Sequence, residues 1–231
     1  MLRRTLKHLA LKAWLSLAIM ALVMALLIFV SAGTIDYWQA WLFLIVFFLA
    51  GAFHTAYANR HDPALLQRRM SGGPTAEKET TQKIIMVFAS IGFIGLLIVP
   101  ALDRRLQWTA GVPVILVVAG NLFIAIGFYI VFIVFRENSF AAATIQVMEE
   151  QKVIATGPYA VVRHPMYAGA MLYCIGIPLA LGSYWGFAAL GLMFPFIIWR
   201  LFDEEHLLRK ELPGYSEYCE THRWRLVPGV F

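Results

Sequence analysis

A chain that carries six apolar runs, at positions 13–30, 38–57, 84–102, 112–135, 166–181 and 184–199, has few structures open to it. Roughly 20 apolar residues in a helix match the hydrocarbon thickness of a bilayer. Within that layer each backbone N–H and C=O must be satisfied inside the segment, which leaves helices. The composition agrees, with 60% of residues hydrophobic and 14% charged, against about 25% charged in an ordinary soluble domain. The expected fold is all-α: a polytopic membrane helix bundle of about six spans. Little more than Gly182-Ser183 separates the last two runs, which predicts a tight helical hairpin. Cytoplasmic C-terminal helices should follow it.

The first run follows Arg3, Arg4, Lys7 and Lys12, the arrangement of a signal peptide. A secretory core is only about 7–15 residues long, so this run reads as a retained span. With six spans and an inner N-terminus, 17 of the 19 Lys and Arg residues fall on one side. Only Arg104 and Arg105 fall on the other. This is the bias of the positive-inside rule, and it places both termini in the cytoplasm. The net charge of +5 then reflects topology and anionic headgroups. A nucleic-acid partner would need a basic, aromatic-bearing soluble surface, and none is evident.

Cys174 lies in a span and Cys219 in the tail, so neither a disulfide framework nor a zinc spacing is present. Asp203-Glu204-Glu205-His206 lacks a second histidine in helical register, and no metal is expected there. Ser71-Gly72-Gly73-Pro74 is a loop signal inside what reads as a plain cytoplasmic connection. His54, near the inner end of span two, is an ionisable group in a span and so a functional candidate; structural hydrogen bonding is the other reading. Asn121 in span four reads as glue between helices.

The informative polar residues cluster at the inner side, in two strips. The first runs from Arg136-Glu137-Asn138-Ser139 through Gln146, Gln151 and Lys152 to an extended-looking Val153-Ile154-Ala155-Thr156. It turns on Gly157-Pro158 and reaches Arg163-His164-Pro165, which opens span five. Proline suits the first helical position, where its missing N–H has no intrahelical partner. The free N–H groups after it can bind an anion such as a carboxylate, with His164 placed to cap that end or touch the ligand. In the second strip, Arg200 and Glu204 are four apart and share a helix face. The hairpin carries them back to the level of His164. A turn before a helix, interfacial tyrosines and a solvated ion pair would explain each strip separately. Together they fit an amino-acid-like ligand with its carboxylate at the helix start and its ammonium at Glu204. S-adenosylmethionine is such a ligand.

The segments GPYAVVRHPMYAG and RLFDEEHLLRKELPGYSEYCETHRWRLVPG carry a joint set of spaced elements. They resemble the isoprenylcysteine carboxyl methyltransferase family of integral-membrane enzymes, whose C-terminal half is shared with phospholipid and some small-thiol methyltransferases. The likeness runs from about residue 136 to the end. It divides the chain into an N-terminal four-span membrane region, 1–135, and a C-terminal cofactor-binding methyltransferase region, 136–231, within a single integrated domain. The resemblance implies S-adenosylmethionine as cofactor, bound by Gln146, Gln151, Lys152, Val153, Ile154, Tyr159, His164, Pro165, Met166, Tyr167 and Glu204. It implies Arg200 as the catalytic and substrate-binding residue beside the acceptor. Members acting on prenylcysteine often carry histidine where this chain has Gln151, a departure that bears on the acceptor more than on the cofactor.

The expected activity is methyl transfer to a lipid-like or prenylated acceptor, foremost a carboxylate such as that of isoprenylcysteine, at the cytoplasmic face of the bilayer. A phospholipid amine or a small thiol is the alternative acceptor. Two other classes stay open: a sterol-reductase-like enzyme using NADPH, and a non-catalytic membrane binding protein.

Overall fold

A computed structural model describes residues 2–77, 79–148 and 151–231, with side chains from Lys7 onward. The side chains of Arg3 and Arg4 lie outside the described residues. Among those described there are eight α-helices and no strand: α1 (Leu2–Ala32), α2 (Trp38–His61), α3 (Pro63–Met70), α4 (Thr80–Leu106), α5 (Val114–Glu137), α6 (Pro165–Ala180), α7 (Gly186–Glu211) and α8 (Tyr215–Thr221). A short 3-10 turn covers Gly157–Ala160. The chain is a polytopic helical bundle.

Five helices, α1, α2, α4, α5 and α7, are long and apolar enough to cross a membrane, whereas α6 has 16 residues. At 1.5 Å per residue α6 is about 24 Å long, short of the roughly 30 Å hydrocarbon core. By length alone it is too short to span an unthinned hydrocarbon core.

The hairpin turn is present. Gly182 sits in the left-handed region at φ +70°, and the Ser183 N–H bonds back to the Pro178 carbonyl at 2.9 Å. The two arms nevertheless splay, for α6 packs chiefly along α5 and α7 along α4. The cause lies in paired glycines. A Cβ on Gly127 would lie 2.5 Å from the Gly169 carbonyl oxygen, and one on Gly120 would lie 2.4 Å from the Ala180 nitrogen. Small residues let membrane helices approach backbone to backbone, and here they draw α6 onto α5. The principal core, including Phe43, Phe47, Leu96, Leu97, Ile124, Ile177 and Leu181, fills the bundle from six of the helices and the hairpin turn.

Ser71-Gly72-Gly73-Pro74 is a loop, as expected. It is preceded by α3, started by Asp62, whose side chain accepts from the Leu65 N–H at 2.9 Å, and by Pro63 in its first turn. Leu65 and Leu66 bury that helix against the bundle. Asn121 does not bridge helices. Its amide donates to the Val117 carbonyl of its own helix at 2.9 Å, because the close α5–α6 seam is made by the neighbouring glycine rather than by a polar pair.

Candidate active site

A cavity of about 810 Å³ opens at the polar end of the bundle, within the roughly 300–1,000 Å³ typical of small-molecule sites. All twelve residues expected at the site line it: Gln146, Gln151, Lys152, Val153, Ile154, Tyr159, His164, Pro165, Met166, Tyr167, Arg200 and Glu204. They come from the 138–164 connection, the start of α6 and the inner half of α7. The N-terminal helices contribute as well, through Leu17 and Met20 of α1, His54 of α2 and Arg69 of α3.

The connection is held in place at several points. Gly157 has φ +57°, and a Cβ there would lie 2.9 Å from the Glu137 carboxyl, so only glycine fits. Thr156 donates its hydroxyl to that same carboxylate. Tyr159 accepts from the Asn138 amide at 2.8 Å, and its carbonyl accepts from the Tyr218 hydroxyl at 2.7 Å. Burial pushes the Tyr159 hydroxyl up to about 12, partly offset by the Asn138 bond. Burial, with the nearby Glu205 charge, also raises Tyr215. Both rings are neutral hydrogen-bonding groups at physiological pH.

The carboxylates of α7 diverge in role. Asp203 accepts from the Gln82 amide of α4. Glu204 accepts from the Tyr167 hydroxyl at 2.6 Å, and no cation lies within ion-pair distance of it among the described residues. Glu205 is buried and meets three basic groups: Arg163 at 3.0 Å, His164 at 3.1 Å and Arg225 at 3.1 Å. His164 therefore makes no cap of α6; its ring is turned to Glu205 rather than to Glu204. The C-terminal tail completes this knot, as the Arg163 and His164 N–H groups bond to the Trp224 and Arg225 carbonyls, both at 2.9 Å. The described residues contain no cluster of three or more ligating side chains suited to a metal.

Arg200 is buried and already engaged. Its guanidinium donates to Glu77 at 2.7 Å, to Gln82 at 2.7 Å and to the Ala143 carbonyl at 3.1 Å. Its two terminal nitrogens thus tie α7 to the start of α4 and to the connection. Glu77, Gln82, Arg69, Arg163, Glu205 and Arg225 carried no local signal of these roles, since their partners stand 20 to 123 residues away. His54 is packed against Phe53, Phe128, Phe132 and Phe135 while lining the cavity.

With this geometry in place, the comparison with known families adds an independent observation. Residues 115–213 match the phospholipid methyltransferase family. The matched segment takes in nearly all of α5, the connection, α6 and α7, which are the elements that carry most of the cavity's polar wall. That family is related to the isoprenylcysteine carboxyl methyltransferases, and the match supports an integral-membrane methyltransferase. No curated protein matches the chain. The Gly214-Tyr215 and Pro228-Gly229 elements fall beyond the matched residues, although Tyr215 and Tyr218 line the same cavity.

Proposed function

We propose that this chain transfers a methyl group from S-adenosylmethionine to a lipid-like acceptor at the inner face of a membrane. The observation that carries the reading is Glu204, a carboxylate on the cavity wall with no cationic partner among the described residues, one turn from an arginine whose charge Glu77 balances. A cofactor with an ammonium, a carboxylate and an aromatic base suits the surrounding groups. Glu204 would take the ammonium, and the first N–H groups of α6, which have no intrahelical acceptor, would take the carboxylate. The Tyr215 ring lines the same cavity. Gln151 to Ile154 and Tyr159 would flank the base.

When bound, S-adenosylmethionine supplies an electrophilic methyl on a sulfonium. A carboxylate acceptor such as that of an isoprenylcysteine is ionised at neutral pH, its reference pKa being about 3.5. It then needs alignment and charge rather than a base. We place Arg200 at the acceptor end, where its bonds to Glu77 and Gln82 hold the wall that orients the acceptor. The family match favours a second acceptor, a phospholipid amine. That acceptor must lose a proton, and of the two histidines on the wall His164 is occupied by Glu205, leaving His54.

An apolar groove of about 640 Å³ between α4, α6 and α7 supports a lipid-like acceptor. It shares Met86, Ala89, Ala170, Tyr173 and Ile197 with the polar cavity, and Ile94, Phe187 and Phe194 on its wall are exposed. A hydrocarbon tail can lie there while its head reaches the cavity from the bilayer.

Calorimetric titration of detergent-purified protein with S-adenosylmethionine and, separately, NADPH should give heat of binding only with the first. Saturable binding of NADPH alone would replace this reading with a reductase. The site should face the cytoplasm. A reporter fused after Phe231 is expected to behave as cytoplasmic and one inserted at Arg104 as external; an external C-terminus would refute the placement.

A further inference from the structure

Among the described residues, the cavity wall holds one guanidinium with no carboxylate at ion-pair distance. Arg69 ends α3, outside the residues matched to the family. One terminal nitrogen donates to the Ala142 carbonyl at 2.9 Å and touches the Met166 sulfur at 3.5 Å. The group lies over the Phe135 ring, 5.3 Å from its centre. No carboxylate lies within ion-pair distance among the described residues, whereas the other guanidiniums on this wall, Arg163 and Arg200, have Glu205 and Glu77. Lys152, the remaining cation of the lining, is exposed. Arg69 is half-buried and lines the cavity, and none of its nitrogens is both sealed off and unpaired.

Even a half-buried charge on a cavity wall favours a counter-ion. A single carbonyl and a ring face do not compensate a group with five donors. Arg200 also lies within electrostatic reach and opposes it. Of the nearby carboxylates, Glu77 is matched by Arg200, and Glu204 is assigned above to the cofactor ammonium.

We propose that Arg69 is the specificity residue for the acceptor, binding an anionic group, a carboxylate or a phosphodiester, on the head of the lipid-like molecule. Planar guanidinium suits both of these groups through paired hydrogen bonds. The division of labour follows from charge. Arg200, neutralised by Glu77, orders the wall, and Arg69 supplies the positive excess that selects an anionic acceptor over a neutral one. The shared chemistry is a single negative charge next to a hydrocarbon tail. The inference rests on the methyltransferase reading for the identity of the ligand as acceptor, though not for its charge.

The test is equilibrium binding, followed by intrinsic tryptophan fluorescence in detergent, with two matched pairs of probes. One pair is N-acetyl-S-farnesylcysteine and its methyl ester; the other is a short-chain phosphatidylethanolamine and the corresponding diacylglycerol. The unmodified protein should prefer the member bearing the anionic group, carboxylate or phosphodiester, of one pair by about tenfold to a hundredfold, and which pair identifies the source of the anion. Arg69→Gln should abolish that preference, and Arg69→Lys should retain part of it. S-adenosylmethionine affinity should stay within about twofold in both variants, which also establishes that they are folded. Preference undiminished in Arg69→Gln, or no charge preference in the unmodified protein for either pair, would overturn the proposal. Loss of S-adenosylmethionine binding in the unmodified protein would instead defeat the methyltransferase reading, and the charge preference would still report on Arg69.

Discussion

Glu205→Gln is expected to lower the stability of the folded protein severely, by about 3–5 kcal/mol, the usual cost of removing one partner from a buried ionic group. Glu205 is only 4% exposed, and its two oxygens serve Arg163 and His164 on one side and Arg225 on the other. A neutral amide in its place leaves two guanidiniums facing each other without compensation. The knot also joins three parts of the chain, namely the approach to α6, the inner end of α7 and the C-terminal tail. Its loss should loosen the tail together with the cavity wall. The measurement is thermal unfolding in detergent at a fixed scan rate, because membrane proteins rarely unfold reversibly and a rate-dependent midpoint is the comparable quantity. A midpoint unchanged within a degree or two would mean that Glu205 is not the hub its contacts describe.

The residue before it should behave in the opposite way. Glu204→Gln is expected to leave the unfolding midpoint nearly unchanged, since its contact is the Tyr167 hydroxyl and a glutamine carbonyl can still accept that bond. Affinity for S-adenosylmethionine should fall about tenfold to a hundredfold, the equivalent of roughly 1.5–3 kcal/mol for a hydrogen bond to a charged group. Calorimetric titration of the two proteins under identical conditions reads the difference directly. Equal affinities would make Glu204 a bystander carboxylate and remove the main support for the cofactor assignment. Glu204 shares a helix face with Arg200, four residues before it, and weighs in cofactor binding, whereas Glu205 weighs in the stability of the fold.

Much of the architecture was legible in one dimension. Apolar runs of bilayer length, the basic residues between them and Gly182-Ser183 predict the spans and the hairpin, because these features act within a single segment. Pro165 predicts where α6 starts for the same reason. The candidate site was legible through its spaced motifs, and the twelve residues named from them surround one cavity. The pairing of side chains was not legible. Glu205 meets Arg163 and His164 because two helices a turn apart return to the same level, and which acid of the Glu204-Glu205 pair faces which way is set by the rotation of α7. That rotation depends on α7 packing along α4 rather than along α6, which in turn follows from the glycine seam holding α6 on α5.

The contribution of the N-terminal helices was hidden for a related reason. Glu77, Gln82 and Arg69 lie in a stretch that carries no recognisable motif, and their partners are distant in the chain. Local chemistry, meaning hydrophobic length, turn residues and the charge of connecting segments, is written residue by residue and settles that this chain is a helical bundle with a polar pocket at one end. Charge balance inside that pocket is a property of three-dimensional neighbours. Only the folded bundle decides that Arg200 is paired with Glu77, that Glu205 meets three basic groups, and that Glu204 and Arg69 have no ion-pair partner among the described residues.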